Sequence, residues 1–158
     1  MNKLIKKKND FLKNTIVALV IMVFFVLDRY FKAFALSLLS GQNYPIIGDI
    51  LRFNFVPNYF AAFSLPFSGN LFNGLIVLAT LALAGLSIYF FKKSETKTGL
   101  VLSMIMFGAV SNLIDRFSYG FVIDYLDLQY FTIFNGADVM ITLGTIFILW
   151  KSWKDGSV

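Results

Sequence analysis

The apolar positions of this chain gather into four long runs, separated by short stretches where polar residues collect. The runs cover about 15–39, 71–91, 99–117 and 136–153. A helix rises 1.5 Å per residue, so about 20 apolar residues span the hydrocarbon core of a bilayer. The run 71–91 meets this alone. The fourth, from Gly136 to Trp150, needs flanking residues such as Phe134 and Trp153. The segment 40–70 is the longest piece outside the runs. Within it "LRFNFV" alternates in period two and is rich in aromatics, as a strand would be, with Pro57 and Pro66 as punctuation. Gly120 marks the end of the third helix, and Val122–Asp124 returns as an extended or short helical piece. The pattern predicts an all-α membrane protein of one domain, 1–158. It has four transmembrane helices, with a small β element and loop on the outer face.

Composition agrees. Hydrophobic residues make up 58% of the 158 and charged residues 15%, against about 25% charged in soluble domains; mean hydropathy is +0.72. The basic start "MNKLIKKKNDFLK" resembles the head of a secretory signal. The run behind it carries Asp28, Arg29 and Lys32 at its far end, and no small-x-small cleavage pattern follows closely. It reads as a retained first span.

The net charge of +5 would suit nucleic acid, but its distribution points elsewhere. With four spans both termini share a side. The N-terminal tail, the "KKSETK" loop and the C-terminal tail then hold ten of the 14 basic residues on that side, which is the cytoplasmic one by the positive-inside rule. Six of the nine acids, Asp28, Asp49, Asp115, Asp124, Asp127 and Asp138, fall toward the other side. The charge is a topology signal, and no nucleic-acid partner is expected.

The chain has no His and no Cys. That excludes Ser-His-Asp and Cys-His catalysis, His- or Cys-ligated metals, disulfides and a lipid anchor on cysteine. Asp, Glu, Lys, Tyr, Ser and Thr remain for chemistry, with neither metal nor cofactor.

Acids at membrane depth need partners. Asp28 and Lys32 are i, i+4 and can form a helix-stabilising pair. Asn112, Asp115 and Arg116 share one face of the third helix, which must point into the bundle or a wet cavity. Asp115 and its neighbour Arg116 suggest a structural pair. Asp127 reads as interface solvation. Asn135 and Asp138 are i, i+3 at the start of the fourth helix, as in a cap. Asp124 and Asp138 flank one short connection that can bring both carboxyls together. Two close carboxyls share a proton and titrate as a pair, one serving as base and one as acid.

These segments together resemble lipoprotein signal peptidase (signal peptidase II), a family of four-span bacterial aspartic proteases. "DRYFK" is similar to its D-Q-x-x-K segment, "NYFAAFS" to N-x-G-A-A-F-S and "GAVSNLIDR" to G-A-x-G-N-x-x-D-R. "GFVIDY" is similar to G-x-V-V-D-F and "FNGADVMITLG" to F-N-x-A-D-S-x-I-x-x-G. The resemblance implies a catalytic dyad of Asp124 and Asp138. It implies substrate-binding or supporting roles for Asn58, Asn112, Arg116 and Asn135, and structural roles for Asp28, Lys32 and Asp115. Asp115 is the competing candidate for a reactive carboxyl. The implied substrate is a diacylglyceryl-modified prolipoprotein, cut N-terminal to its lipidated Cys. The implied setting is the bacterial cytoplasmic membrane, with the protein a lipid-embedded monomer, both termini cytoplasmic and the site near the outer face. Arg29 replaces Gln of the pattern, Phe60 and Ser111 replace Gly, and Val139 replaces Ser. Of these, Phe60 is expected to change the loop shape, since Gly allows positive φ and close approach. A small transporter or proton relay is the second reading, and a non-catalytic precursor-binding paralogue the third.

Overall fold

The computed structural model describes residues 2–38, 42–60 and 69–156; Pro66 and most of "NYFAAFS" lie outside them. The described residues form four helices and one small sheet. Helix α1 (Asn2–Ser37) runs from the basic tail through the first apolar run without a break. It starts earlier than the apolar pattern because Lys and Leu are themselves good helix formers. Helices α2 (Asn70–Lys92) and α3 (Thr96–Tyr119) form an antiparallel hairpin that turns at Lys93–Glu95. Helix α4 (Gly136–Lys154) packs beside α3. Among the described residues three helices, Ile5–Ser37 of α1 with α2 and α3, are long and apolar enough to cross a membrane.

Charged and polar side chains are buried while many large apolar ones face outward. On α1 the buried positions are Ile21, Asp28, Lys32 and Ala35, a single face at helical spacing, while Phe24, Val26, Leu27 and Tyr30 are exposed. On α2 only Thr80 and Ser87 are buried, and Leu75, Leu78, Leu81 and Ile88 point outward. The Ser87 hydroxyl bonds the Gly99 carbonyl at 2.9 Å and Ser103 Oγ at 2.8 Å. Small and polar residues therefore tie these helices, as expected where lipid removes any hydrophobic drive between them.

The strands are β1 (Tyr44–Ile47), β2 (Leu51–Asn58), β3 (Val122–Leu128) and β4 (Ile133–Phe134), antiparallel in that order. The β element is thus larger than the sequence suggested. It recruits the link between α3 and α4, where Val122–Asp124 is extended. Pro57 lies inside β2 opposite Ile123. Strand β1 pairs with β2 as far as Phe53, so among the described residues proline sits where one side of β2 is an edge. Phe53, Ile123 and Tyr125 pack on Ala35, which seats the sheet on the end of α1.

Two local features set the site. Helix α3 ends at Gly120 in the left-handed region, φ 81°, its N–H bonded to the Arg116 carbonyl at 3.0 Å; β3 starts two residues later. The second is a β-bulge between Phe53 and Val56. Phe53 faces Leu126, but Val56, not Phe55, faces Asp124. The extra residue shifts the register by one and brings Asn58 to the face of Asp124.

Candidate active site

Helix α4 opens with a capping box. Asn135 Oδ1 accepts from the Asp138 N–H at 3.0 Å, and Asp138 Oδ2 accepts from the Asn135 N–H at 3.2 Å. This fixes Asp138 in the first turn, where the helix dipole favours a carboxylate. With its oxygen committed, Asn135 turns its amide nitrogen to Asp124 Oδ1, at 2.7 Å. One asparagine therefore touches both acids.

Asp124 projects from β3 and is buried. Its second oxygen accepts from Asn58 Nδ2 at 3.0 Å. Burial, then the charge of Asp138, raises its carboxyl from 3.8 to about 7, and the amides of Asn58 and Asn135 work the other way. Asp138 Oδ1 accepts from Asn112 Nδ2 at 2.9 Å. Asn112 reaches it because α3 and α4 nearly touch one turn earlier. A Cβ on Gly108 would lie 2.7 Å from the Ala137 carbonyl oxygen.

Both acids, with Asn58, Asn112 and Arg116, line an open cleft of ≈ 480 Å³ between α2, α3, α4 and the sheet. Its far wall is apolar, from Phe72 and Ile76 to Ile141 and Leu143. Arg116 lies 5.8 Å from the Phe72 ring centroid and bonds the Phe60 carbonyl at 3.3 Å. Beyond Asn58 and Asp124 a second hollow of ≈ 290 Å³ continues along Val56–Phe60, Thr132 and Ile133. The Phe60 N–H caps Asn58 Oδ1 at 3.0 Å. Positive φ at described non-glycine residues occurs at Ser94 and Tyr130. Phe60 thus does not use the conformation that would call for glycine.

Behind the cleft lies a buried ionic cluster. Lys32 and Asp115 are each 0% exposed and Asp28 is 1%. Lys32 Nζ is 2.7 Å from Asp115 Oδ2 and 3.4 Å from Asp28 Oδ2. Asp28 also accepts from Ser111, Tyr125 and the Ala137 N–H. Asp115 pairs with Arg29 and Lys32, not with Arg116, and also accepts from the Ile123 N–H. Adjacent residues on a helix point about 100° apart and do not face each other, so Arg116 turns to the cleft while Asp115 turns to α1. Two buried acids thus meet two cations, and no buried side-chain polar atom among the described residues lacks a partner.

The structure brings Asn58, Asn112, Arg116, Asp124, Asn135 and Asp138 together, and keeps Asp28, Lys32 and Asp115 one layer behind. Sequence reasoning gave no part to Tyr125, whose hydroxyl bridges Asp28 and the Gly136 N–H at 3.1 and 3.0 Å. Nothing in one sequence marks that hydroxyl. Arg29 and Ser111 stood out only as departures. A balance of charges in the first and third runs would have pointed to Arg29.

The family model described as signal peptidase (SPase) II matches residues 20–154. The chain is 32% identical over 145 residues to a lipoprotein signal peptidase of Halothermothrix orenii, covering 90% of this chain and 98% of that one. It is 39% identical over 134 residues to the lipoprotein signal peptidase of Syntrophomonas wolfei, covering 83% and 88%. A solved bacterial membrane enzyme structure superposes with a TM-score of 0.75 at 26% identity, over 92% of this chain and 90% of that one.

Proposed function

From the premise that the chain belongs to the signal peptidase II family, we propose that Asp124 and Asp138 are the catalytic pair of a membrane aspartic endopeptidase. The enzyme removes signal peptides from prolipoproteins. Its substrates carry diacylglyceryl on the lipobox Cys, and the cut falls on the N-terminal side of that residue. Relatives that cover 83% and 90% of the chain are lipoprotein signal peptidases, and neither the transporter nor the non-catalytic reading has comparable support.

The observation that carries the site is Asn135, bonded to both carboxyls at the mouth of one cleft. One carboxylate takes a proton from water as the water oxygen adds to the scissile carbonyl. The other carboxyl protonates the carbonyl oxygen, and collapse of the tetrahedral intermediate passes a proton to the leaving amine. Arg116 and Asn58 flank the pair and suit the substrate backbone. The apolar wall of the cleft suits acyl chains, and holding them there would place the scissile bond.

The membrane setting follows the same reasoning. All four helices span the bilayer, α4 included: Leu143, Ile146, Leu149 and Trp150 are exposed, and 19 residues reach roughly 28 Å at 1.5 Å each. The charge bias puts both termini in the cytoplasm and the sheet and cleft at the outer face of the cytoplasmic membrane. The protein works as a monomer surrounded by lipid.

The test is processing of a lipidated precursor, followed by gel shift. Asp124→Asn and Asp138→Asn should each insert normally and lose processing by at least about 10³-fold. Processing retained by either variant refutes the pair.

A further inference from the structure

Lys32 makes contacts beyond its ion pairs. Its ammonium, fully buried, lies 2.7 Å from Asn112 Oδ1. An ammonium only donates, so it fixes which end of the Asn112 amide faces it. The nitrogen must then point the other way, to Asp138 Oδ1 at 2.9 Å. The acids near Lys32 have other donors. Arg29 and the Ile123 N–H serve Asp115, and Ser111, Tyr125 and the Ala137 N–H serve Asp28.

Asp124 has no such link. Among the described residues it accepts from the neutral amides of Asn58 and Asn135 alone. Asp138 has a cation one amide away and sits in the first turn of a helix. The charged groups acting on the pair are Lys32 and Asp28 from α1 and Arg116 from α3, along with Asp138 on Asp124.

Building on the catalytic pair proposed above, we infer that Lys32 is a positioning residue which, through Asn112, makes Asp138 the base and Asp124 the acid. The Asp138 carboxylate takes the proton of water while the water oxygen bonds the carbonyl carbon. Asp124 gives its proton to the carbonyl oxygen. On collapse the C–N bond breaks, Asp138 delivers its proton to the leaving amine, and the oxygen returns its proton to Asp124.

The test uses the full-length enzyme and a lipidated peptide, with kcat and KM read across pH. Lys32→Met is combined with Asp115→Asn, which removes one charge of each sign and keeps the cluster neutral; Asp115→Asn alone is the reference. The double variant should lose kcat by about 100-fold with KM within about threefold. The acid limb of kcat should move up by about one pH unit as Asp138 loses its support. Lys32→Arg, which keeps the charge, should hold the acid limb near its parental position. Asn112→Leu leaves the ion pairs intact and should shift the same limb the same way. It should also absorb most of the Lys32 effect in a double-mutant cycle. An acid limb unmoved in Asn112→Leu, or in a folded Lys32→Met/Asp115→Asn, overturns the inference; should that double variant fail to fold, the Asn112→Leu limb decides. Loss of activity in Asp124→Asn and Asp138→Asn beside normal Lys32 and Asn112 variants would refute this assignment alone and leave the pair standing.

Discussion

At Asp124 burial is the largest influence, lifting the carboxyl from 3.8 to about 7, with the charge of Asp138 second. Below about 7 the group keeps its proton and can donate it; above, it is ionised beside another acid. Cleavage should therefore fall as pH rises through about 7, measured as kcat/KM on a lipidated peptide. Asn58 donates to the ionised form, so Asn58→Ala should move that alkaline limb to higher pH and lower kcat/KM roughly tenfold. A limb that stays in place would separate it from Asp124. At this scale the sequence was informative where geometry is local. The Asn135–Asp138 cap follows from i, i+3 spacing at a helix start. The partner of Asp115 did not follow, because Arg29 and Lys32 come from another helix, 86 and 83 positions away by number, and only packing joins them.

Between elements, two small irregularities carry the site. One is the close approach of α3 and α4 at Gly108, where an added Cβ would meet backbone at 2.7 Å. Gly108→Ala should force α4 outward, cost about 1–3 kcal/mol, and lengthen the Asn112–Asp138 bond. A lowered Tm in detergent with activity down more than tenfold is the expected result, and parental values for both would show that the helices have room. The other is the bulge in β2. The alternation of "LRFNFV" was legible as a strand, but the extra residue was not, since register is set by pairing with a strand some 70 positions later. Without that residue Phe55, not Val56, would face Asp124, and Asn58 would point to the opposite face. The four apolar runs were legible because lipid demands length and continuity; the sheet that recruits the α3–α4 link was only half legible, because its pairing is non-local.

Among the described residues the molecule buries an ionic cluster and turns many large apolar side chains outward, and its orientation is open to direct measurement. The chain has no cysteine, so single cysteines can be placed without background. Tyr130, 96% exposed beside the sheet, and Lys93 in the α2–α3 turn lie at opposite ends of the bundle. A membrane-impermeant maleimide should label Tyr130→Cys in intact spheroplasts and Lys93→Cys only after lysis. The reverse pattern would invert the proposed topology. The cap of α4 also bears on how the protein ages. Asn135–Gly136 is the dipeptide in which the following backbone nitrogen most readily attacks the side-chain amide, forming a succinimide and then aspartate. Here that nitrogen is held by the Tyr125 hydroxyl and the amide by Asp124, so ring closure must break both bonds first. Deamidation at this position would put a third carboxylate between the other two. The hydrogen bonds that assemble the site thus also act as its chemical preservative, and each excursion out of the native state exposes the chain to irreversible damage at its centre.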